Sequence, residues 1–254
     1  MLSLRSLAPL AFAFALALPA ASHAQSFNPT QRSEIEKIIK DYLVANPEVL
    51  EEMSAELTKR QSAAEAEKHR AAVQKNADLI FKSPRGVVIG NRDGDVNFVE
   101  FFDYNCGYCK QAMTDMVELM KADPKLRVVL KEFPVLGPQS VEAAQVAVAV
   151  RMQDPTGKTY LAFHQKLLGS RGQADKARAM AAAKDAGADM AKLEKDLASP
   201  EVNATLNENM KLAETMGLNG TPSYVIGNEV VVGALGFANL SKKISEARCG
   251  KATC

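Results

Sequence analysis

The residues best suited to chemistry in this sequence are Cys106 and Cys109, set in FFDYNCGYCKQAM. An apolar run precedes the pair and a helix-like stretch follows it. Two cysteines at this spacing can clip a metal, close a structural disulfide or cycle between dithiol and disulfide. A position at a helix N-terminus weighs toward the last of these. The unpaired backbone N–H groups and the positive end of the helix dipole favour thiolate over thiol. An unperturbed thiol of pKa ~8.5 is only about 3% ionised at pH 7, whereas one lowered by several units is almost fully ionised. Cys106, at the head of the helix, is therefore the expected nucleophile. Cys109 lies one turn in and is the expected resolving thiol, which attacks the mixed disulfide. A purely stabilising bridge fits poorly, because so short a loop restricts little unfolded-chain entropy.

The compartment bears on how the cysteines are read. The chain begins MLSLRSLAPLAFAFALALPAASHAQ, with Arg5 ahead of an apolar stretch and small residues up to Ala24. This pattern predicts a secretory signal over residues 1–24, cut after Ala24, and so a periplasmic protein. The apolar run is shorter than the ~20 residues of a membrane span. Export places the four cysteines in an oxidising environment, where an even number fits complete pairing. The simplest of the three connectivities is local, Cys106–Cys109 and Cys249–Cys254. The second pair, in CGKATC, is expected to form a non-catalytic disulfide, since no strand precedes it and no helix follows it to depress a pKa. A four-cysteine zinc site would need thiols kept reduced after export. No metal and no other cofactor is expected.

Composition narrows the partners. With 254 residues and 47% hydrophobic residues the chain can build a sizeable core. The formal charge of +1 becomes 0 when Arg5 is lost with the signal, so charge makes no case for nucleic acid or anionic lipid.

The elements that must position the cysteines follow from hydrophobic periodicity. Residues 25–82 read as an N-terminal helical segment. Ile35, Ile38, Ile39, Tyr42 and Leu43 form one apolar stripe. Asn46 is expected to cap a second helix whose first residue is Pro47, and Leu50, Met53 and Leu57 continue the stripe. A charged helix, 58–76, follows. Composition shifts at Ser83-Pro84. Gly86–Ile89 and Val96–Phe102 read as strands joined by a turn at Asn91–Asp95. VNFVEFF is apolar on both faces, as in a central strand covered on both sides. The CxxC helix ends near Asp123-Pro124 and a third strand spans Leu126–Glu132, completing a right-handed βαβ unit. From Ser140 to Met216 the pattern is helical. Tyr224–Ile226 and Val230–Val232 then form a hairpin around Gly227-Asn228, and a last helix runs from Phe237 to Ala247.

This order resembles the thioredoxin fold. The expected class is α/β, a thioredoxin fold over 83–254 with a helical insertion at about 138–217, preceded by a helical stalk. The insertion, the Cys106-Gly107-Tyr108-Cys109 motif after a buried strand, and Thr221-Pro222 before the hairpin resemble the DsbA family of exported thiol–disulfide oxidoreductases. The N-terminal helices, with DYLVANPEVLEEM, resemble the self-associating ScsC-like branch. The resemblance implies that Thr221 and a cis Pro222 shape the substrate surface. It also implies that Glu100, six residues before Cys106, is a buried acid. Glu100 then either exchanges a proton with Cys109 or is satisfied by Lys131 on the neighbouring strand.

Gly107 and Tyr108 are uncharged and tune the couple. DsbA-like oxidants often carry a histidine here, so its absence suggests a less oxidising couple, and CGYC resembles the pair of DsbC-like isomerases. His69 and His164 read as surface or packing residues, and Met113, Met116 and Met120 as core filling. The expected activity is a thiol–disulfide isomerase or reductase acting on misfolded, cysteine-containing exported proteins. Its partners would be a membrane-bound thiol–disulfide redox protein and further copies of the chain, as a dimer or trimer. The alternatives are a disulfide-donating oxidase and, from another class, a copper-binding protein using both sulfurs.

Overall fold

The structure, a computed structural model, describes residues 27–254. The expected signal and its cleavage after Ala24 lie outside the described residues. The chain divides into two compact units at Thr58 and Lys59. No helix among the described residues is long and apolar enough to cross a membrane.

The first unit holds α1 (Pro29–Ala45) and the opening turns of α2 (Glu48–Lys75). Asn28 starts α1 through a capping box. Its side chain accepts the Gln31 N–H at 2.9 Å, and its own N–H donates to the Gln31 side chain at 3.0 Å. Asn46 closes α1 rather than capping the helix that follows. Its backbone N–H and its side-chain amide both donate to the Tyr42 carbonyl, at 2.9 and 2.8 Å. The orphan Tyr42 carbonyl at the end of α1 takes the Asn46 side chain, whose oxygen an N-cap would have used to accept an N–H of the next helix. Ile38, Ile39, Tyr42, Leu43, Leu50, Met53 and Leu57 are all exposed.

The second unit starts within α2. Its far end carries Val73, and α3 (Ala77–Phe81) carries Ile80; both are fully buried against Val99, Phe101, Val129 and Val225. The domain therefore begins at Lys59, ahead of Ser83 where the composition shift suggested a boundary. The charged helix ends in apolar residues that complete the core.

A five-stranded sheet follows, with β1 (Val87–Gly90), β2 (Val96–Phe102), β3 (Leu126–Glu132), β4 (Ser223–Ile226) and β5 (Glu229–Val232) in the order β1-β3-β2-β4-β5. β1 and β2 are consecutive but unpaired, because β3 lies between them. The turn joining them passes so close to β3 that a Cβ on Gly94 would stand 2.4 Å from the Lys125 carbonyl. β2 is parallel to β3 and antiparallel to β4. Its alternate side chains face opposite cores. Phe98 and Phe102 join one, with α4 (Gly107–Ala122), α10 (Phe237–Cys249) and most of the inserted helices. Val99 and Phe101 join the other, with the end of α2 and α3.

The insertion between β3 and β4 comprises α5 (Pro138–Gln153), α6 (Lys158–Gly169), α7 (Lys176–Asp185), α8 (Met190–Leu197) and α9 (Pro200–Thr215). α5 is its hub. Its run of small residues, Ala143, Ala144, Ala147 and Ala149, is buried on several sides, which lets neighbouring helices approach closely.

Candidate active site

β2 delivers the chain through Asp103–Asn105 into α4. Asp103 is buried and holds this corner by accepting four hydrogen bonds. Oδ1 accepts from the Asn105 N–H at 2.8 Å and the Ser140 hydroxyl at 2.7 Å. Oδ2 accepts from the Val135 and Leu136 N–H groups at 2.8 and 2.9 Å. Asn105 ties the same corner to the loop before α7. Its side chain donates to the Ala174 carbonyl at 2.9 Å and accepts the Ala174 N–H at 2.7 Å. The insertion thus clamps the backbone that places the cysteines.

Cys106 is the N-cap of α4. Its sulfur accepts the Cys109 N–H at 3.3 Å and, as a thiol, donates to the Thr221 carbonyl at 3.2 Å. The pKa of Cys106 is lowered from 9.0 to about 6, first by the hydrogen bond with the Cys109 thiol and further by Thr221 and the backbone N–H groups of Cys109 and Tyr108, against the opposing effect of burial. Cys109 has no exposed surface. Its thiol is pushed far up, by its hydrogen bond with Cys106, by burial and by the charge of Glu100. Both cysteines are free thiols. The Thr221–Pro222 bond is cis, and Pro222 is buried beside the pair. Tyr108 is 72% exposed, and nothing lies within 4 Å of a Cβ built on Gly107, so the face beside Cys106 is open.

Beneath the pair, Glu100 points into the same core as Phe98 and Phe102. Both its oxygens are buried without a hydrogen-bond partner. Burial first, then the charges of Cys106 and Asp115, raise its pKa from 4.5 to about 8. The alternative pairing with Lys131 is not formed. Glu100 stands opposite Leu130 on β3, and Lys131 is one residue further on. Successive strand residues face opposite sides, so Lys131 lies on the other face, where its nearest carboxylate is Glu208 at 4.0 Å. Burial lowers the Lys131 pKa to about 8.

The chain that carries this cysteine pair and cis-proline is similar to known proteins. Residues 98–245, more than half of the chain, match the DSBA-like thioredoxin domain family. The chain belongs to this family. Residues 31–64 match the N-terminal domain of the copper resistance protein ScsC. A thioredoxin-like oxidoreductase from Silicibacter pomeroyi DSS-3 is 42% identical, with 68% of this chain and 98% of that one covered and a TM-score of 0.64. ScsC of Proteus mirabilis in a transitional conformation is 29% identical, covering 89% and 98%, at a TM-score of 0.65. The thiol-disulfide exchange protein alpha-DsbA2 of Wolbachia pipientis is 28% identical, covering 70% and 95%, at 0.65. A curated relative, the Na(+)/H(+) antiporter NhaA 1 of Salinispora arenicola, is 26% identical over 168 residues, which is 65% of this chain and 25% of that protein. The chain spans about a quarter of the length of the curated relatives it matches.

In this DSBA-like domain the remaining candidate residues fall away from the pair. Cys249, the last residue of α10, is joined to Cys254 by a disulfide. His164 is fully buried on α6, stacked on Tyr160 and edge-on to Phe102; Tyr104 lies 3.3 Å from its Nδ1. Burial lowers its pKa to about 3, so it is neutral packing. Met116 is buried, and Met113 and Met120 pack against the same core.

Four residues of the site carry no motif: Asp103, Asn105, Asp115 and Tyr224. Asp115 had a legible signal, an acid on the face of α4 that also carries Cys109, Ala112, Met116 and Leu119. Tyr224 had none. It reads as an ordinary strand residue, and only the sheet register sets it opposite Glu100.

Proposed function

We propose that this thiol–disulfide oxidoreductase acts as an isomerase or reductase on misbonded exported proteins in the periplasm. One observation carries the reading: Cys106 is a stabilised thiolate, 5% exposed at the edge of the open face formed by Gly107 and Tyr108, while the thiol that must resolve it has no exposed surface. The Cys106 thiolate attacks a client disulfide. One client sulfur leaves as a thiolate, and Cys106 is joined to the other in a mixed disulfide. For reduction, Cys109 passes its proton to Glu100 in its ionised form and attacks Cys106. The Cys106–Cys109 bond forms, the bond to the client breaks, and the client departs as a thiolate with two electrons from the pair. For isomerisation, a second client thiolate displaces Cys106 instead.

Two features support this direction. A Cys106 pKa of about 6 lies between the ~3.5 of the strongest oxidants of this class and the ~7 of thioredoxin. The exposed stripe on α1 and α2 would hold two or three copies together, so that one client meets several thiolates at high effective concentration. A membrane-bound redox partner would then return the pair to the dithiol.

The test is the reduction potential of the pair together with a trap. Cys109→Ala should accumulate a mixed disulfide at Cys106. A potential near about −180 mV or lower suits the isomerase or reductase, and one near roughly −120 mV would make the protein an oxidase. The copper reading, which the name of the matched ScsC domain favours, needs both sulfurs and predicts no such trap.

A further inference from the structure

Three side chains beneath the cysteine pair keep buried polar atoms without a hydrogen-bond partner: Glu100 with both oxygens, Asp115 with Oδ2, and Tyr224 with its hydroxyl. They come from three elements. Glu100 on β2 and Tyr224 on β4 are direct cross-strand partners in the antiparallel register. Asp115 stands on the buried face of α4. The charges of Asp115 and Cys106 act on Glu100, and those of Glu100, Cys109, Asp115 and Cys106 act on the Tyr224 hydroxyl. Lys131 is on the opposite face of the sheet, so this acid pair has no cation to neutralise it.

Burial makes the arrangement consequential. Cys109 is 0% exposed and Glu100 1%, so a proton leaving the Cys109 thiol enters a carboxyl with no route of its own to solvent. Asp115 is 6% exposed, and its Oδ1 receives the side-chain amide of the exposed Gln111 at 3.4 Å. It is the member of the group nearest to water. A tyrosine hydroxyl can donate to one oxygen while accepting from another.

We propose that Asp115 and the Tyr224 hydroxyl carry the proton of Glu100 between the buried pair and solvent at the Gln111 edge of α4. The inference rests on the reading of Glu100 as the proton acceptor of Cys109. In the resolving step the Cys109 S–H bond breaks and its proton goes to Glu100. The sulfur electron pair forms the bond to Cys106, and the client sulfur leaves with the electrons of the broken disulfide. Glu100, whose pKa of about 8 keeps it largely protonated near pH 7, takes this proton only as its own leaves through Tyr224 and Asp115 to water. Asp115 acts through Glu100 and does not touch the sulfurs.

The test uses the full chain carrying a mixed disulfide between Cys106 and a chromophoric aromatic thiol, whose release by Cys109 is followed in stopped flow from pH 5 to pH 9. Asp115→Asn and Tyr224→Phe keep side-chain shape closely. Asp115→Asn is expected to slow release about tenfold or more at neutral pH and to shift the midpoint of the pH profile. Asp115→Glu should restore most of the rate, and Tyr224→Phe should lose less. Alkylation of Cys106, which needs no proton relay, should be unchanged in all of them. Wild-type release and an unshifted profile in both Asp115→Asn and Tyr224→Phe, with Glu100→Gln slow, would overturn this inference alone. Equal slowing of Cys106 alkylation would overturn it by marking general disruption of the site. Wild-type release in Glu100→Gln would overturn the underlying reading of Glu100 as well.

Discussion

Replacing Glu100 by glutamine should make the reduced protein progressively more stable relative to the wild type as pH rises from 4 to 9. The folded protein holds this carboxyl at a pKa of about 8, against 4.5 when free, chiefly because burial penalises the charge. An acid whose folded pKa is raised contributes stability that is complete below the unfolded value and is lost as pH climbs through the folded one. At about 1.4 kcal/mol per pKa unit, the loss reaches about 3 kcal/mol by pH 7 and about 5 kcal/mol by pH 9. That is a large part of the roughly 5–15 kcal/mol that holds a domain folded. Glutamine cannot ionise, so its unfolding free energy escapes the decline. The amide's own burial cost, about 1–3 kcal/mol, offsets the whole curve without tilting it. Urea unfolding of both reduced proteins at several values from pH 4 to pH 9 measures the difference. Cys106 contributes with the opposite sign, because its folded pKa of about 6 lies below the free value of 9.0. Its stabilisation is complete above pH 9 and fades as pH falls through 6. Because burial outweighs the Cys106 charge in raising Glu100, the Cys106 contribution largely drops out of the comparison. A difference that stays flat within about 1 kcal/mol from pH 4 to pH 9 would refute the claim that Glu100 is an uncompensated buried acid.

Four further outcomes are expected. Alkylation of Cys106 should rise with pH around a midpoint near 6, and a midpoint close to 9.0 would show that α4 and Thr221 do not hold a thiolate. Asp103→Ala strands the N–H groups of Asn105, Val135 and Leu136 and should cost about 2–4 kcal/mol in urea unfolding, with slower disulfide exchange; a cost below about 0.5 kcal/mol would remove Asp103 as the clamp. Replacing Cys249 and Cys254 together by serine should leave exchange rates within about twofold, because the bridge ties the C-terminal end of α10 to the chain's last residue; a large loss with the fold intact would make it a second redox centre. Removing residues 27–58, but not the core residues Val73 and Ile80, should yield a folded monomer that still reduces a small disulfide but unscrambles proteins poorly. Light scattering that finds the full chain monomeric would end that proposal.

The sequence by itself determines the parts of this protein that depend on neighbours along the chain. The CxxC at a strand-to-helix junction, the continuous apolar pattern of VNFVEFF, the Thr221-Pro222 step and the Gly227-Asn228 hairpin are each local, and each sits in the fold where its residues placed it. Local pattern misleads where two elements compete for one residue. Asn46 could serve the end of α1 or the start of α2, and the orphan carbonyl of Tyr42 took it. It also misleads where composition hides burial, as in the charged α2, whose Val73 belongs to the core. Alternation along β2 and β3 already places Glu100 and Lys131 on opposite faces, once their parallel register is known. Only the tertiary structure could bring Asp115, Tyr224 and Glu100 under one pair of sulfurs, or bind Asp103 and Asn105 to the inserted helices. These groups lie far apart in sequence. Whether a buried carboxylate finds a cation, a second carboxylate or a hydroxyl depends on which faces pack together, and that packing has no signature within any single element.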